Sequence, residues 1–466
     1  MLLTQYYLGC LSHASYLIGD TTSGRAVVVD PQRDVAQYLA DAEANGLHIE
    51  RVIETHFHAD FVSGHLELAA RTGAMISYGE AAAGRPEFAM DPLTDGQRLA
   101  LGEVELEIRA TPGHTPESIS IVVYERPDGE PAAVLTGDTL FIGDVGRPDL
   151  LASVGVTSDD LARQLYHSLH TQLLTLPDAT VVYPAHGSGS ACGRNLSTET
   201  VSTIGEQRSF NYALAPMTED EFVALVTEGQ PAAPPYFAYD ANRNREARDL
   251  LDEDRPLATL TLDEVVALQA AGAIVLDTRD PADFATGHLV GSINVGLAGR
   301  FAEYAGDVVR HDQEIALVAD PGSEHEARVR LARIGFDNVV GALGTPLQAF
   351  LDQPDAVVAS SRLTVPELAR RRSELAALQL IDVRNPGEAR LGGVPGSVNI
   401  PLPELLDRLG ELDQDRPTAV ACASGYRSSI AASTLAAHGF TDVSDLLGGY
   451  DAWAKAGQPV ESPTKT

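Results

Sequence analysis

The stretch E-T-H-F-H-A-D-F at 54–61 sets two histidines one residue apart, His56 and His58, with Asp60 two residues further on. Imidazole and carboxylate at that rhythm form a metal-ligand pattern. Three further candidates stand in tight turns: His114 in T-P-G-H-T-P, Asp138 in L-T-G-D-T and His186 in V-Y-P-A-H-G. Such nitrogen and oxygen donors suit zinc, iron and similar divalent ions. A second kind of chemistry lies near the C-terminus, where V-A-C-A-S-G-Y-R-S-S-I places Cys422 and Arg427 at the two ends of a short loop. A thiol ringed by backbone N–H groups and a helix start, with an arginine close by, is set up to act as a thiolate nucleophile.

The elements that must carry these residues can be read from apolar runs. A-V-V-V-D (26–30), R-V-I-E-T (51–55), V-E-L-E-I-R-A-T (104–111), I-S-I-V-V-Y (119–124), A-A-V-L-T (132–136) and T-V-V-Y-P (180–184) are expected strands. Helical patterns lie between them, in D-V-A-Q-Y-L-A-D-A-E-A-N-G and S-G-H-L-E-L-A-A-R-T-G. Every metal candidate falls where a strand ends, beside Pro or Gly in most cases, so that its side chain can project past a sheet edge. Four strand-end turns bearing His or Asp point to one metal site.

The second half of the chain is a repeat. L-D-T-R-D-P-A-D-F-A-T-G-H-L-V-G-S-I-N-V at 276–295 recurs as I-D-V-R-N-P-G-E-A-R-L-G-G-V-P-G-S-V-N-I at 381–400. Alternating apolar runs and helical stretches in each copy predict a parallel α/β sheet. A Pro-rich break, Q-P-A-A-P-P-Y-F at 230–237, reads as a semi-rigid linker. Three domains are expected: 1–245, 246–356 and 357–466.

Sixty-six acidic against 33 basic residues in 466 give a formal charge of −33. That surface repels nucleic acid and anionic membranes. No run of about 18 apolar residues predicts a transmembrane helix. Three cysteines, Cys10, Cys192 and Cys422, cannot build a disulfide framework and suit a reducing, cytoplasmic setting. Cys10, in Y-L-G-C-L-S-H, is expected in a core strand.

The turns T-H-F-H-A-D-F, P-G-H-T, T-G-D-T and P-A-H-G, in that order, resemble the metallo-β-lactamase superfamily. The resemblance implies an αββα sandwich with metal at one edge. Dinuclear members hold their second metal with a His directly after the aspartate; here that place is Phe61, whose ring has no lone pair to donate. His65, one helical turn beyond, is the residue that could compensate, but it is expected on a helix surface. A subgroup, the persulfide dioxygenases, binds one iron through two His and one carboxylate, and those positions fall on His56, His114 and Asp138. The resemblance thus implies one Fe(II) per chain, with zinc suited to the same donors, and gives His58, Asp60 and His186 supporting roles around the ligands. The subgroup's Arg-Asp loop is matched by F-I-G-D-V-G-R-P-D-L at 141–150, making Arg147 and Asp149 candidates for shaping the substrate pocket. Cys192, in G-S-G-S-A-C-G-R-N, is a further candidate for contact with substrate sulfur.

The last copy resembles the rhodanese sulfurtransferases in I-D-V-R-N-P, P-G-S-V-N-I-P, the Cys422 loop and L-L-G-G-Y-D-A-W. Four residues separate Cys422 from Arg427, as in the sulfur-carrying members, while Gly393 replaces a His found in many relatives. The middle copy aligns Asp320 with Cys422, and Glu324 and Glu326 add negative charge, so it resembles an inactive rhodanese. The whole chain is similar to multidomain persulfide dioxygenase–sulfurtransferases. This implies a low-molecular-weight thiol persulfide, O₂ and sulfite or thiosulfate as reactants in sulfide detoxification, and the inactive domain points to a homo-oligomer. Two other readings stand beside it: a dinuclear thioester hydrolase of the glyoxalase II kind, and a non-enzymatic sulfur carrier or scaffold.

Overall fold

The computed structural model describes residues 1–150, 156–194 and 196–461. It divides into two compact units, Met1–Gln230 with Phe237–Glu253, and Pro231–Tyr236 with Asp254–Thr466.

Two six-stranded sheets build the first unit. One runs Leu2–Leu8, His13–Asp20, Arg25–Val29, His48–Ile53, Met75–Gly79, Asp91–Leu93 across the sheet. The other runs Ser202–Thr203, Val181–Pro184, Ala133–Gly137, Ile119–Tyr124, Glu105–Ala110, Arg98–Ala100. Side chains alternate between faces along a strand, and the apolar residues here sort themselves accordingly. Tyr16, Ile18, Val27 and Val29 meet Leu106, Ile108, Ile121 and Val123 of the opposite sheet. Leu17, Ala26 and Val28 face the other way, onto Tyr38 and Ala42 of helix Ala36–Ala44 and Leu68 of helix His65–Thr72. Beyond the second sheet, Val122, Val134 and Val182 pack on Leu165, Ile204 and Phe222 of three further helices. The result is four layers, αββα, with strands apolar on both faces because both are covered.

The second unit contains two five-stranded parallel sheets of identical strand order. The first is Thr259–Leu260, Val339–Leu343, Ile315–Val318, Ile274–Asp277, Ile293–Asn294; the second is Ser361–Leu363, Val443–Leu446, Thr418–Ala421, Gln379–Asp382, Val398–Asn399. The repeated D-x-R has the same job in each: Arg279 forks onto Asp277, and Arg384 onto Asp382. Asn294 and Asn399 likewise donate to the carbonyl oxygens of these Asp and Arg residues. Among the described residues no helix is long and apolar enough to cross a membrane.

Two local expectations change. Cys10 lies in the turn between Leu2–Leu8 and His13–Asp20, half-buried, because G-C-L-S reverses the chain before the next apolar strand starts. The Pro-rich segment is more than a tether: Tyr236 is buried in the second unit, its ring edge-on to Phe336. A Cβ at Gly306 would come within 2.3 Å of that ring, which explains a glycine inside helix Phe301–Val308.

The first unit closes on itself beyond residue 245. Glu67 of helix His65–Thr72, buried, accepts from Arg33, from both Nη atoms of Arg248 and from the Leu251 N–H. Burial opposes its ionisation, but Arg248 and Arg33 outweigh that and hold its pKa down at about 2. A depressed carboxylate contributes stability above its unfolded pKa and loses it as pH falls toward the folded one. Glu67→Gln, which strands a buried guanidinium, is expected to destabilise the first unit by about 3–5 kcal/mol. Denaturant unfolding at neutral pH checks this, and an unchanged midpoint contradicts it.

Candidate functional site

The strand-end residues converge. His56 and His58 follow His48–Ile53, His114 follows Glu105–Ala110, Asp138 follows Ala133–Gly137 directly, and His186 follows Val181–Pro184. Ligand atoms of His56, His114 and Asp138 lie within 4.8 Å of one another, as do those of His58, Asp60 and His186. Asp138 joins the two sets: Oδ2 is 3.9 Å from His56 Nε2 and 3.5 Å from His114 Nε2, while Oδ1 is 3.5 Å from His186 Nε2. His186 Nε2 is also 3.4 Å from Asp60 Oδ2. All six side chains are buried. Close backbone approach holds them there. A Cβ at Gly146 would sit 1.8 Å from the Asp138 carbonyl oxygen, and one at Gly137, which has φ +50°, 2.8 Å from Thr55 Oγ1.

Hydrogen bonds fix the tautomers. Thr55 Oγ1 donates to Asp30 Oδ2 at 2.8 Å, so it can only accept from His56 Nδ1 at 3.0 Å. His114 Nδ1 donates to the Arg147 carbonyl at 2.8 Å, and His186 Nδ1 to the Ser12 carbonyl at 3.3 Å. Each ring therefore turns an Nε2 lone pair inward. His56 Nε2, His186 Nε2 and both Asp138 oxygens are buried with no hydrogen-bond partner. Buried polar atoms without partners are costly, and a divalent cation would satisfy them together. The donor set thus fits a metal ion.

Electrostatics divide the two sets. Burial, then the neighbouring His58 and His114, drives His56 well below the usual histidine range, and burial takes His114 down to about 4, so both favour the neutral imidazole. Burial lifts Asp138 and Asp60 to about 6. His58 goes the opposite way. Burial alone would lower it, but Asp30 at 3.0 Å and Glu54 at 3.4 Å from Nε2 outweigh burial and raise it well above the usual range. A protonated His58 offers N–H groups and no lone pair. Phe61 packs against its ring, 4.4 Å between centroids, and against His13 at 4.0 Å. His58 would therefore have to give up a proton before the second cluster could hold a cation through it.

Asp30, Glu54 and Thr55 were not among the residues expected here. The signal that marked the others marks Asp30 as well: a carboxylate closing the apolar run A-V-V-V-D. Its φ of +49° is a strained conformation for a non-glycine residue. His65 is not on a helix surface. It is buried, with Nδ1 3.7 Å from Glu54 Oε1, while His58 approaches the other oxygen of the same carboxylate.

Arg147 is not a surface residue either. Its fork binds Asp149 through two contacts of 2.7 Å, Nη1 donates to the Ala191 carbonyl, and its N–H to the Cys192 carbonyl. The loop therefore links His114 to Cys192, whose thiol groups with Asp138 and His186. Burial, then Asp60 and Asp138, pushes that thiol well above its usual range.

In the last repeat, Cys422 is buried where Thr418–Ala421 ends. Its Sγ accepts from the Gly425 N–H at 3.1 Å and lies 3.5 Å from Ser428 Oγ. The Tyr450 and Asp451 N–H groups donate to the Cys422 and Ala423 carbonyls at 2.7 and 3.0 Å, turning those oxygens away from the thiol. A Cβ at Gly449 would lie 2.4 Å from both oxygens, which accounts for the second glycine of L-L-G-G. Arg427 forks onto Glu388 with two 2.7 Å contacts, so part of the positive charge expected for the thiol is spent on this carboxylate. In the middle repeat Asp320 is exposed, and the Gly322 N–H is capped by Glu324 at 2.8 Å. That loop carries its own anion.

Family models match accordingly: the metallo-beta-lactamase superfamily over residues 8–186, and the rhodanese-like domain twice, over 261–345 and 364–456. The chain is 31% identical over 214 residues to the mitochondrial persulfide dioxygenase ETHE1 of Bos taurus, covering 46% of this chain and 75% of that protein. It is 35% identical over 184 residues to the cytoplasmic hydroxyacylglutathione hydrolase of Arabidopsis thaliana, covering 39% and 66%. Among solved structures, a metallo-beta-lactamase from Staphylococcus aureus subsp. aureus COL superposes with a TM-score of 0.66 at 33% identity, over 73% of this chain and 98% of that one.

Metal uptake should depend on pH in one direction. With Asp138 and Asp60 raised to about 6, a proton must leave as the ion enters below that pH, whereas the neutral His56 and His114 release none. Zinc affinity of metal-free protein, measured by chelator competition, is expected to be level above about pH 7 and to fall by about tenfold per unit for each proton displaced below about pH 6. A level profile down to about pH 5 contradicts the assignment.

Proposed function

Because the chain belongs to the metallo-β-lactamase superfamily and carries two rhodanese-like domains behind that fold, we propose that it is a persulfide dioxygenase coupled to a sulfurtransferase. The observation that supports this most strongly is the asymmetry of the two clusters. His56, His114 and Asp138 bring their ligand atoms together, while in the other group His58 is held by Asp30 and Glu54 and packed by Phe61. Two imidazoles and one carboxylate with open positions form the facial triad of non-haem iron oxygenases. Held there, iron would supply binding of substrate sulfur and activation of O₂.

The chain's own residues account for the rest. Thr55 and the Arg147 carbonyl orient the His56 and His114 rings. Asp60 and His186 form a buried acid–base pair beside Asp138, placed to hold the water consumed in the reaction. Cys192, kept as a thiol by burial, stands beside Asp138 and is no competing thiolate nucleophile. Arg147 and Asp149 brace the loop between them. The reaction balances as RSSH + O₂ + H₂O giving RSH, sulfite and two protons. Cys422 then takes sulfane sulfur from a second persulfide, releasing its thiol, and passes it to sulfite; the S–S bond to Cys422 breaks, thiosulfate forms and the thiolate returns. Together the two half-reactions remove sulfide-derived sulfur in the cytoplasm.

A dinuclear thioester hydrolase is the second reading, favoured by the His58–Asp60–His186 grouping and by likeness to a hydroxyacylglutathione hydrolase. Phe61 and the carboxylate-held His58 weigh against it.

Two variants separate the activities. His114→Ala is expected to lower oxygen uptake with a thiol persulfide by at least about a hundredfold, more than loss of an outer hydrogen-bonding partner would, while sulfur transfer from thiosulfate persists. Cys422→Ser should keep sulfite production and stop thiosulfate formation. Loss of both activities in either variant, or undiminished thiosulfate from Cys422→Ser, contradicts the scheme.

A further inference from the structure

The loop carrying Cys422 is gripped from outside its own repeat. Tyr426, the residue before Arg427, opens helix Tyr426–Ala437, and its hydroxyl lies 2.8 Å from the Gly296 carbonyl and 2.9 Å from that of Ala298, both in the middle repeat. Its single proton is shared between them. The carbonyls that follow each of these, Leu297 and Gly299, are taken by Arg330 Nη1 and Nη2 of the middle repeat at 2.5 Å each. Four successive carbonyls are thus held alternately, two by a tyrosine from one repeat and two by an arginine from the other. Tyr304, from helix Phe301–Val308 of the middle repeat, packs edge-on to Tyr426 at 5.2 Å. Seven residues along the same helix face, Ser433 Oγ accepts from the Asn294 N–H at 2.9 Å.

We propose that Tyr426 is a positioning residue through which the catalytically silent repeat sets the shape of the Cys422 loop. The inference rests on Cys422 being the sulfur carrier. The physical link is short. Gly425, at φ +103°, donates its N–H to Cys422 Sγ and is bonded directly to Tyr426. A tyrosine has only two side-chain torsions, so anchoring its hydroxyl and its ring fixes its Cα, and with it the peptide of Gly425. Silencing the middle repeat's own loop costs nothing in this role, because the residues that do the holding, 294–304 and Arg330, lie outside that loop. This gives the inactive copy a function that its sequence alone conceals: it is the wall against which the active loop is set.

The test uses the full chain, with thiosulfate as donor and cyanide as acceptor. Cys422 attacks the outer sulfur of thiosulfate, sulfite leaves with the S–S electron pair, and cyanide removes the sulfur as thiocyanate. Tyr426→Phe keeps the ring and loses the hydroxyl; Arg330→Gln loosens the same carbonyl run without touching the loop. Each is expected to lower kcat by about tenfold, the scale of one or two lost hydrogen bonds, with KM for thiosulfate within about twofold. The double variant should fall no further than either single one, since both act through one structure. Amide hydrogen exchange over 423–427 should quicken by about tenfold in both, while exchange in the first unit stays unchanged. Wild-type kcat and exchange in Tyr426→Phe overturn the proposal, as does a lowered melting temperature with unchanged kcat. Should the wild-type chain form no thiocyanate, the reading of Cys422 fails, and the exchange comparison alone decides on Tyr426.

Discussion

The first unit is organised around a cluster of buried nitrogen and oxygen lone pairs turned toward one another. His56 Nε2, His186 Nε2 and both oxygens of Asp138 are buried without a hydrogen bond, an arrangement that costs free energy for as long as no cation is there. The surrounding structure keeps them so. Thr55, the Arg147 carbonyl and the Ser12 carbonyl hold the other ring nitrogens, and Gly137 and Gly146 let the backbone come close enough for the donors to meet. The αββα layers supply rigidity: the donors hang from strand ends whose apolar bodies are locked on both faces.

Two adjacent histidines of one motif end in opposite electrostatic states. Burial and the neighbouring imidazoles push His56 down, and Asp30 and Glu54 outweigh burial to push His58 up. A difference of neighbours, with no difference of residue type, moves the two imidazoles in opposite directions. The two rhodanese-like repeats show the same point at larger scale. Their sheets have one strand order, their D-x-R and Asn contacts coincide, and yet one loop presents a thiol while the other caps itself with Glu324. Chemistry is set by the site and not by the fold.

What the sequence made legible follows from range. Strands, the repeat and the strand-end candidates are local patterns, and Phe61 declares itself because it fills a fixed place in a short motif. Long-range contacts were hidden. Asp30 meets His58 across 28 residues of chain, a His65 that periodicity placed on a surface is buried beside Glu54, and Glu388 meets Arg427 across 39. Tyr236 is buried against Phe336 in a segment whose prolines suggested a simple spacer. Cys10 sits in a turn because the polar end of its motif outweighs the apolar start.

The number and kind of ion at His56, His114 and Asp138 decide the account. Metal analysis per chain, paired with oxygen uptake on a thiol persulfide after loading with iron or with zinc, is the direct measurement. One ion per chain and oxygen consumption with iron alone is the predicted result. Two ions per chain, or equal turnover with zinc, would contradict it.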